Sequence, residues 1–255
     1  YAAGPNYNKQ WVAFDPVDLK SSLGLACAAT KQALKLLDQA SPVEQALIRP
    51  LAKRYPLNEP GNVTPIWNDD YAAAMREVYL SHMDDLDVAA LFAEAIMNRT
   101  PWLLWDIKTG KPAEGADTAE AIAVLERAMA TASGMKHPGI LHMYIHLMEM
   151  SPHPERALRA GDALCSLVPD AGHLIHMPTH IDVLCGNYKD VIDRNELATS
   201  ADKKYLAREG AVNFYSLYRC HNYHFKTYGA MFLGQYGPAL EAAEEMAAAI
   251  SEDLL

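Results

Sequence analysis

The stretch GHLIHMPTHIDVLCGNY, residues 172–188, decides the fold. His173, His176 and His180 stand at i, i+3 and i+7, which is one face of an α-helix. Gly186 follows, the residue type favoured just past a helix C-terminus, and Tyr188 opens a new helical pattern. Pro178 sits inside the histidine helix, where it removes a backbone hydrogen bond and predicts a kink. The same arrangement returns at fixed offsets. A shift of 34 residues puts His142 on His176, His146 on His180, Ala157 on Val191 and Leu158 on Ile192. A shift of 48 puts His173 on His221, His176 on His224, Gly186 on Gly234 and Tyr188 on Tyr236, an extra 14 residues lying around Thr199–Asn213.

Outward from there the chain reads as helices. The spacing predicts them over Thr118–Ser133, 138–150, 154–168, 172–185, 189–208, 213–233 and 238–254. Upstream, helices fit Leu19–Leu37, Ser41–Arg54, Trp67–Tyr79 and Asp84–Asn98. Ser41-Pro42 supplies a cap and a first-turn proline. Two stretches read as loops: Pro56–Pro65, with three prolines, and Thr100–Asp117, carrying Trp102, Trp105, Gly110, Pro112 and Gly115. The second is long enough to be a lid over a site or a loop packing its tryptophans on the core. Alanine outnumbers valine, isoleucine and threonine together, which favours helix over strand. The expectation is an all-α chain, a single helical domain over 1–255 with irregular helices in 1–83 and helix pairs in 84–255. It opens at Tyr1 without a methionine, which reads as a truncated or processed form.

A 34-residue helix–turn–helix period is that of the tetratricopeptide repeat (TPR), and the sequence resembles that family at several positions. Gly186-Asn-Tyr188 and Gly234-Gln-Tyr236 look like its inter-helix turn. Ala121, Ala157 and Ala239 fall at its small packing position, and Pro169 at its terminal proline. The whole chain also resembles a group of uncharacterised bacterial and fungal TPR-like proteins, through His137-Pro-Gly-x-x-His142-x-Tyr-x-His146-x-x-Glu149, Gly172-His-x-x-His-Met-Pro-x-His180 and His221-Asn-x-His224-Phe225. The resemblance implies a right-handed α-α superhelix with a concave groove, and no particular activity.

Nine of the ten histidines lie between His137 and His224. His142, His146 and Glu149 share one helix face, as do His173, His176 and His180, and His221, His224 and Tyr228. In the register of the resembled repeat these faces line one groove. His142, His176 and His224 then form one tier, and His146, His180 and Tyr228 a second, about 6 Å along. Imidazoles from helices about 8–10 Å apart can share an ion at about 2.0–2.1 Å. The candidate metal ligands are His142, His146, His176, His180 and His224, for a divalent transition metal such as Zn, Cu or Fe. Glu149 is a candidate ligand or general base and Tyr228 a substrate or proton contact. His173, His221, Glu94 and Tyr144 are candidates for orienting ligands or touching substrate. The plainer reading of each histidine is a hydrogen-bonded core residue, and that of Tyr144 a core aromatic. Glu94, with Asp87, reads most simply as a solvated face. His137 and His153 precede prolines and suit caps or loops.

The functional expectation is a metal-dependent enzyme acting on a small molecule in the groove. The alternative is a scaffold that binds a peptide or partner protein there, although the groove positions carry none of the lysines or arginines of a carboxylate clamp. The net charge of −10 speaks against nucleic-acid or anionic-membrane partners. No apolar run reaches the roughly 20 residues of a membrane span. The four cysteines, Cys27, Cys165, Cys185 and Cys220, show no CxxC pattern, which favours a reducing, cytoplasmic setting over a disulfide framework or thiolate zinc site.

Overall fold

The computed structural model describes residues 3–59, 64–213 and 215–250. Its contacts divide the chain into two compact units, Tyr1–Thr131 and Ala132–Leu255. The division falls after the helix that begins at Thr118, whereas the sequence pattern changes near residue 83.

In the first unit, helix starts follow their capping chemistry. α1 (Pro16–Lys35) begins behind Asp15, whose carboxylate accepts from the Val17 and Asp18 amides. α2 (Pro42–Ile48) carries a complete capping box, with Ser41 and Glu44 each accepting from the other's backbone N–H. α3 (Leu51–Arg54) and α4 (Thr64–Ser81) follow, then α5 (Leu86–Met97), capped by Asp85, and α6 (Thr118–Met129). Leu23 and Ala26 of α1, Trp67 of α4, Trp11 and Tyr55 form one apolar cluster. Trp11 meets Trp67 edge to face at 5.8 Å.

The expected loop at 100–117 has structure of its own. β1 (Trp105–Asp106) pairs antiparallel with β2 (Lys111–Pro112). Asp106 ties the turn between them, accepting from the Lys108 amide and the Thr109 hydroxyl, both at 2.9 Å. Trp102 stands at φ 62; its amide donates to the Tyr7 hydroxyl at 3.2 Å and its ring lies 5.1 Å from that of Tyr7. The loop is thus tied to Tyr7 through Trp102, while Trp102 and Trp105 both remain half-buried. The expected loop at 56–65 lies partly outside the described residues.

The second unit holds α7 (Pro138–Met148), α8 (Leu158–Leu164), α9 (Gly172–His176), α10 (Pro178–Cys185), α11 (Tyr188–Glu209), α12 (Tyr215–Phe232) and α13 (Tyr236–Ala249). α11 packs on α9, α10 and α12; α12 also packs on α9 and α13. Gly186 (φ 78) and Gly234 (φ 66) end α10 and α12 in the left-handed conformation that glycine adopts without strain. Their backbone bonds match: Gly186 N–H bonds Val183 O and Asn187 N–H bonds Asp182 O, while Gly234 N–H bonds Met231 O and Gln235 N–H bonds Ala230 O. The two turns that the 48-residue offset superposes therefore share one geometry. Gly229 allows close approach of α12 to α11, since a Cβ there would lie 2.9 Å from the Val191 side chain. The expected final residues of the last helix, 251–254, lie outside the described residues. Among the described residues no helix is long and apolar enough to cross a membrane, and Cys27, Cys165, Cys185 and Cys220 are free thiols.

Candidate metal centre

Everything in this site belongs to the second unit. α7 starts where His137 caps it, its ring nitrogen accepting from the Ile140 amide at 3.2 Å. That start places His142 and His146 one turn apart on one face, with Glu149 at the C-cap just beyond. α9 and α10 form the interrupted histidine helix. Pro178 has no amide hydrogen to continue the ladder, and the Thr179 hydroxyl donates instead to the His176 carbonyl at 2.7 Å. The expected kink is an actual division into two helices. α12 turns His221 and Phe225, at i and i+4, toward α9 and α10.

The histidines gather into two triads, His142/His146/His173 and His176/His180/His221. In each, the ring nitrogens lie within 4.8 Å of one another, close enough that each triad could hold a metal ion. The Nε2 atoms of His142 and His173 are 3.2 Å apart, those of His176 and His180 3.0 Å, and those of His180 and His221 3.3 Å. Glu149 joins the two groups. One oxygen accepts from His146 Nδ1 at 2.7 Å and the other lies 2.6 Å from His180 Nδ1. His176 Nδ1 lies 2.7 Å from the Asn195 side-chain oxygen, whose amide nitrogen donates to the Val191 carbonyl at 2.7 Å. That second bond fixes which end of Asn195 faces the ring, so His176 carries its proton on Nδ1.

The setting is aromatic and partly shielded, with His142, His173, His180 and His221 half-buried around two fully buried rings. His176 is 0% and His146 2% exposed. The Phe225 ring lies 4.7–4.9 Å from the rings of His176, His180 and His221, and Tyr218 meets His173 at 4.8 Å. Burial, followed by neighbouring imidazoles, lowers the pKa values of His142, His173 and His176 well below the usual histidine value. His221 is lowered to about 4 by burial and by His180. His146 is lowered by burial, which outweighs the opposing pull of Glu149. These five rings are neutral at neutral pH, the form that ligates metal. Burial pushes the Glu149 carboxyl up, but the charge of His180 and the hydrogen bonds from His146 and His180 outweigh it and hold the group ionised.

The structure brings together His142, His146, His176, His180 and Glu149 of the expected site. It corrects the rest. His224 is exposed and lies in neither triad, 6.4 Å from the Tyr228 ring. Tyr228 is 40% exposed and meets Phe232 in a tilted ring pair at 4.6 Å. The reason is the rotation of α12, which points its His221/Phe225 face inward and its His224/Tyr228 face out. His221 takes the expected place of His224, and His173 joins the ring atoms of the first triad directly. The expected tiers, with one ring per helix at equal height, give way to pairs four residues apart in sequence, His142/His146 on α7 and His176/His180 across the α9–α10 division, each with a third ring from elsewhere.

Tyr144 is buried in the core of α7. Glu94 lies in the first unit, held by Arg54 at 3.1 and 3.2 Å and bonded to Asn98. Its plain reading as a solvated face is corrected as well, since it is 8% exposed.

Sequence reasoning missed Asn195, Thr179 and a further support built on Asp202. The Tyr215 hydroxyl accepts from the His173 amide at 3.1 Å and donates to Asp202 at 2.7 Å. Asn222 donates to the other oxygen of Asp202. The carboxylate fits because residue 172 is glycine: a Cβ there would lie 2.0 Å from Asp202 Oδ1. Comparison of the chain with protein-family models, curated proteins and solved structures finds no match.

Proposed function

We propose that the second unit binds a divalent transition metal through its clustered imidazoles, and that the chain is a metal-dependent enzyme acting on a small molecule. The observation that carries this reading is the meeting of His176 and His180. Both commit Nδ1–H groups elsewhere, to Asn195 and to Glu149. Their Nε2 atoms face each other across 3.0 Å, and where neither carries a proton two lone pairs meet. Facing acceptors shielded from water are costly without a positive partner between them. A proton on His180 Nε2 would serve His176 and leave His221, 3.3 Å away, poorly served. A metal ion serves all three: ligands at about 2.0–2.1 Å from one ion stand roughly 2.9–3.4 Å apart. Three imidazoles leave at least one coordination position open to water, oxygen or substrate, where the ion acts as Lewis acid or redox centre.

The burial of the triads supports a small ligand over an extended peptide. The matched glycine turns after α10 and α12 support stacked helix pairs of the TPR type as the frame, with the triads on its concave side. The test is elemental analysis of protein purified without an affinity tag, backed by titration of the metal-stripped chain. Bound Zn, Cu or Fe at one equivalent or more is expected, lowered in His176→Ala. No bound metal and no uptake would end the proposal.

A further inference from the structure

We infer that the centre holds two ions, one in each triad, and that Glu149 serves both as a shared outer carboxylate rather than as a ligand or base. This rests on the metal-binding reading above and makes it more specific. Six imidazoles are more than one ion takes: histidine-rich protein sites use three or four. They also fall into two separate groups of mutually close nitrogens. Across the groups the ring centroids of His146 and His180, and of His173 and His176, are 6.4 Å apart, close to the widest spacing within a group, 6.3 Å for His146 and His173. Within the groups the values include 4.7 Å for His142 and His146 and for His176 and His221.

Glu149 fits an outer role because both its oxygens are already engaged by Nδ1 atoms, one from each triad. A carboxylate that accepts Nδ1–H fixes the ring orientation, places the lone pair on Nε2 and raises its basicity. Here one residue does this twice, for His146 toward the first ion and for His180 toward the second.

The shared role gives two replacements different signatures. Alanine removes both acceptors, so Glu149→Ala weakens both sites. Glutamine keeps one acceptor oxygen and turns an N–H2 donor toward the other histidine. That ring must flip its tautomer to accept, which places N–H on Nε2 and removes a ligand. Glu149→Gln therefore weakens one site and spares the other.

The experiment is titration of the metal-stripped full chain with Co2+, read by its visible absorption and by calorimetry. The wild type should take up two equivalents. His173→Ala and His221→Ala should each lose one and keep the other, with helical content checked by circular dichroism. Glu149→Ala should weaken both equivalents about 10–100-fold, and Glu149→Gln only one. X-ray absorption of the loaded wild type, which needs no variant, should show nitrogen ligands and no protein carboxylate. Failure of the wild type to bind Co2+ would overturn the metal-binding reading itself. Binding of a single equivalent, abolished by either histidine variant, would overturn the two-ion centre alone. Two equivalents with Glu149→Ala weakening only one would show Glu149 to be a ligand of that ion.

Discussion

Each unit buries a cluster of polar side chains, and the two clusters are built on opposite logic. In the first unit Arg54, 1% exposed, gives a forked pair of hydrogen bonds to Glu94 and another to the Pro5 carbonyl at 2.6 Å. Asn98 donates to the same carboxylate. Donors meet acceptors and charges meet their opposites, so the cluster closes on itself. In the second unit imidazoles meet one another through Nε2 atoms, while the Nδ1 atoms of His146, His176 and His180 are held from behind. That arrangement is one a positive ion between the rings would satisfy. The contrast teaches that burial of polar groups does not by itself mark a site; the mismatch of like partners does.

The comparison can be broken or sharpened by experiment. The largest effect is expected at the closed cluster. Arg54→Ala leaves the Glu94 carboxylate buried without its main partner, and a broken buried pair costs about 3–5 kcal/mol. Urea denaturation should show that loss with metal content unchanged; a parallel loss of metal would mean that the first unit serves the centre.

Metal should stabilise the second cluster by a similar amount. At a free Zn2+ concentration about 1,000-fold above Kd, binding adds roughly 4 kcal/mol. The rise in Tm should be absent from the double variant His142→Ala/His176→Ala and intact in any first-unit variant that folds.

Acid should separate the clusters in the metal-free protein. His221 titrates at about 4 in the folded chain against 6.5 for the free side chain. Below pH 6.5 the unfolded chain takes up a proton that the folded one refuses, so stability is full above that pH and falls as the pH drops toward 4. His221 accounts for roughly 2 kcal/mol by pH 5, and the depressed pKa values of His142, His173 and His176 act with the same sign. Denaturation curves of metal-free protein at pH 7 and pH 5 measure it; a stability unchanged between them would mean that the rings are not buried neutral.

The smallest effect is expected at Asn195. Asn195→Ala frees the tautomer of His176 and should weaken the second triad about tenfold, with the first triad unchanged in the same Co2+ titration.

Much of this was readable in the sequence because it is local. Ser41 and Glu44 form the cap their spacing announces, Pro178 divides its helix, and Gly186 and Gly234 end theirs. The helical spacing of His142 with His146 and of His176 with His180 put each pair on one face. The choice between His221 and His224 was not local. One offset aligns both with earlier histidines, and only the packing of α12 on α9 selects the face carrying His221 and Phe225. Asn195 left no trace either: it lies alone in a long helix, and the 34-residue offset puts Gly161 opposite it. Arg54 and Glu94 are far apart in sequence, and nothing near either residue names the other.

Glu149 also has a consequence in electroneutrality. It contributes a single negative charge to a nest of six imidazoles, so two divalent ions there would carry a large unbalanced positive charge inside a chain whose net charge is −10. A buried excess of that kind is relieved by anions. Hydroxide, a carboxylate or a phosphate would enter such a centre with favourable energy, whereas a cationic substrate would be repelled. Substrate screening for the loaded protein should therefore begin with small acids.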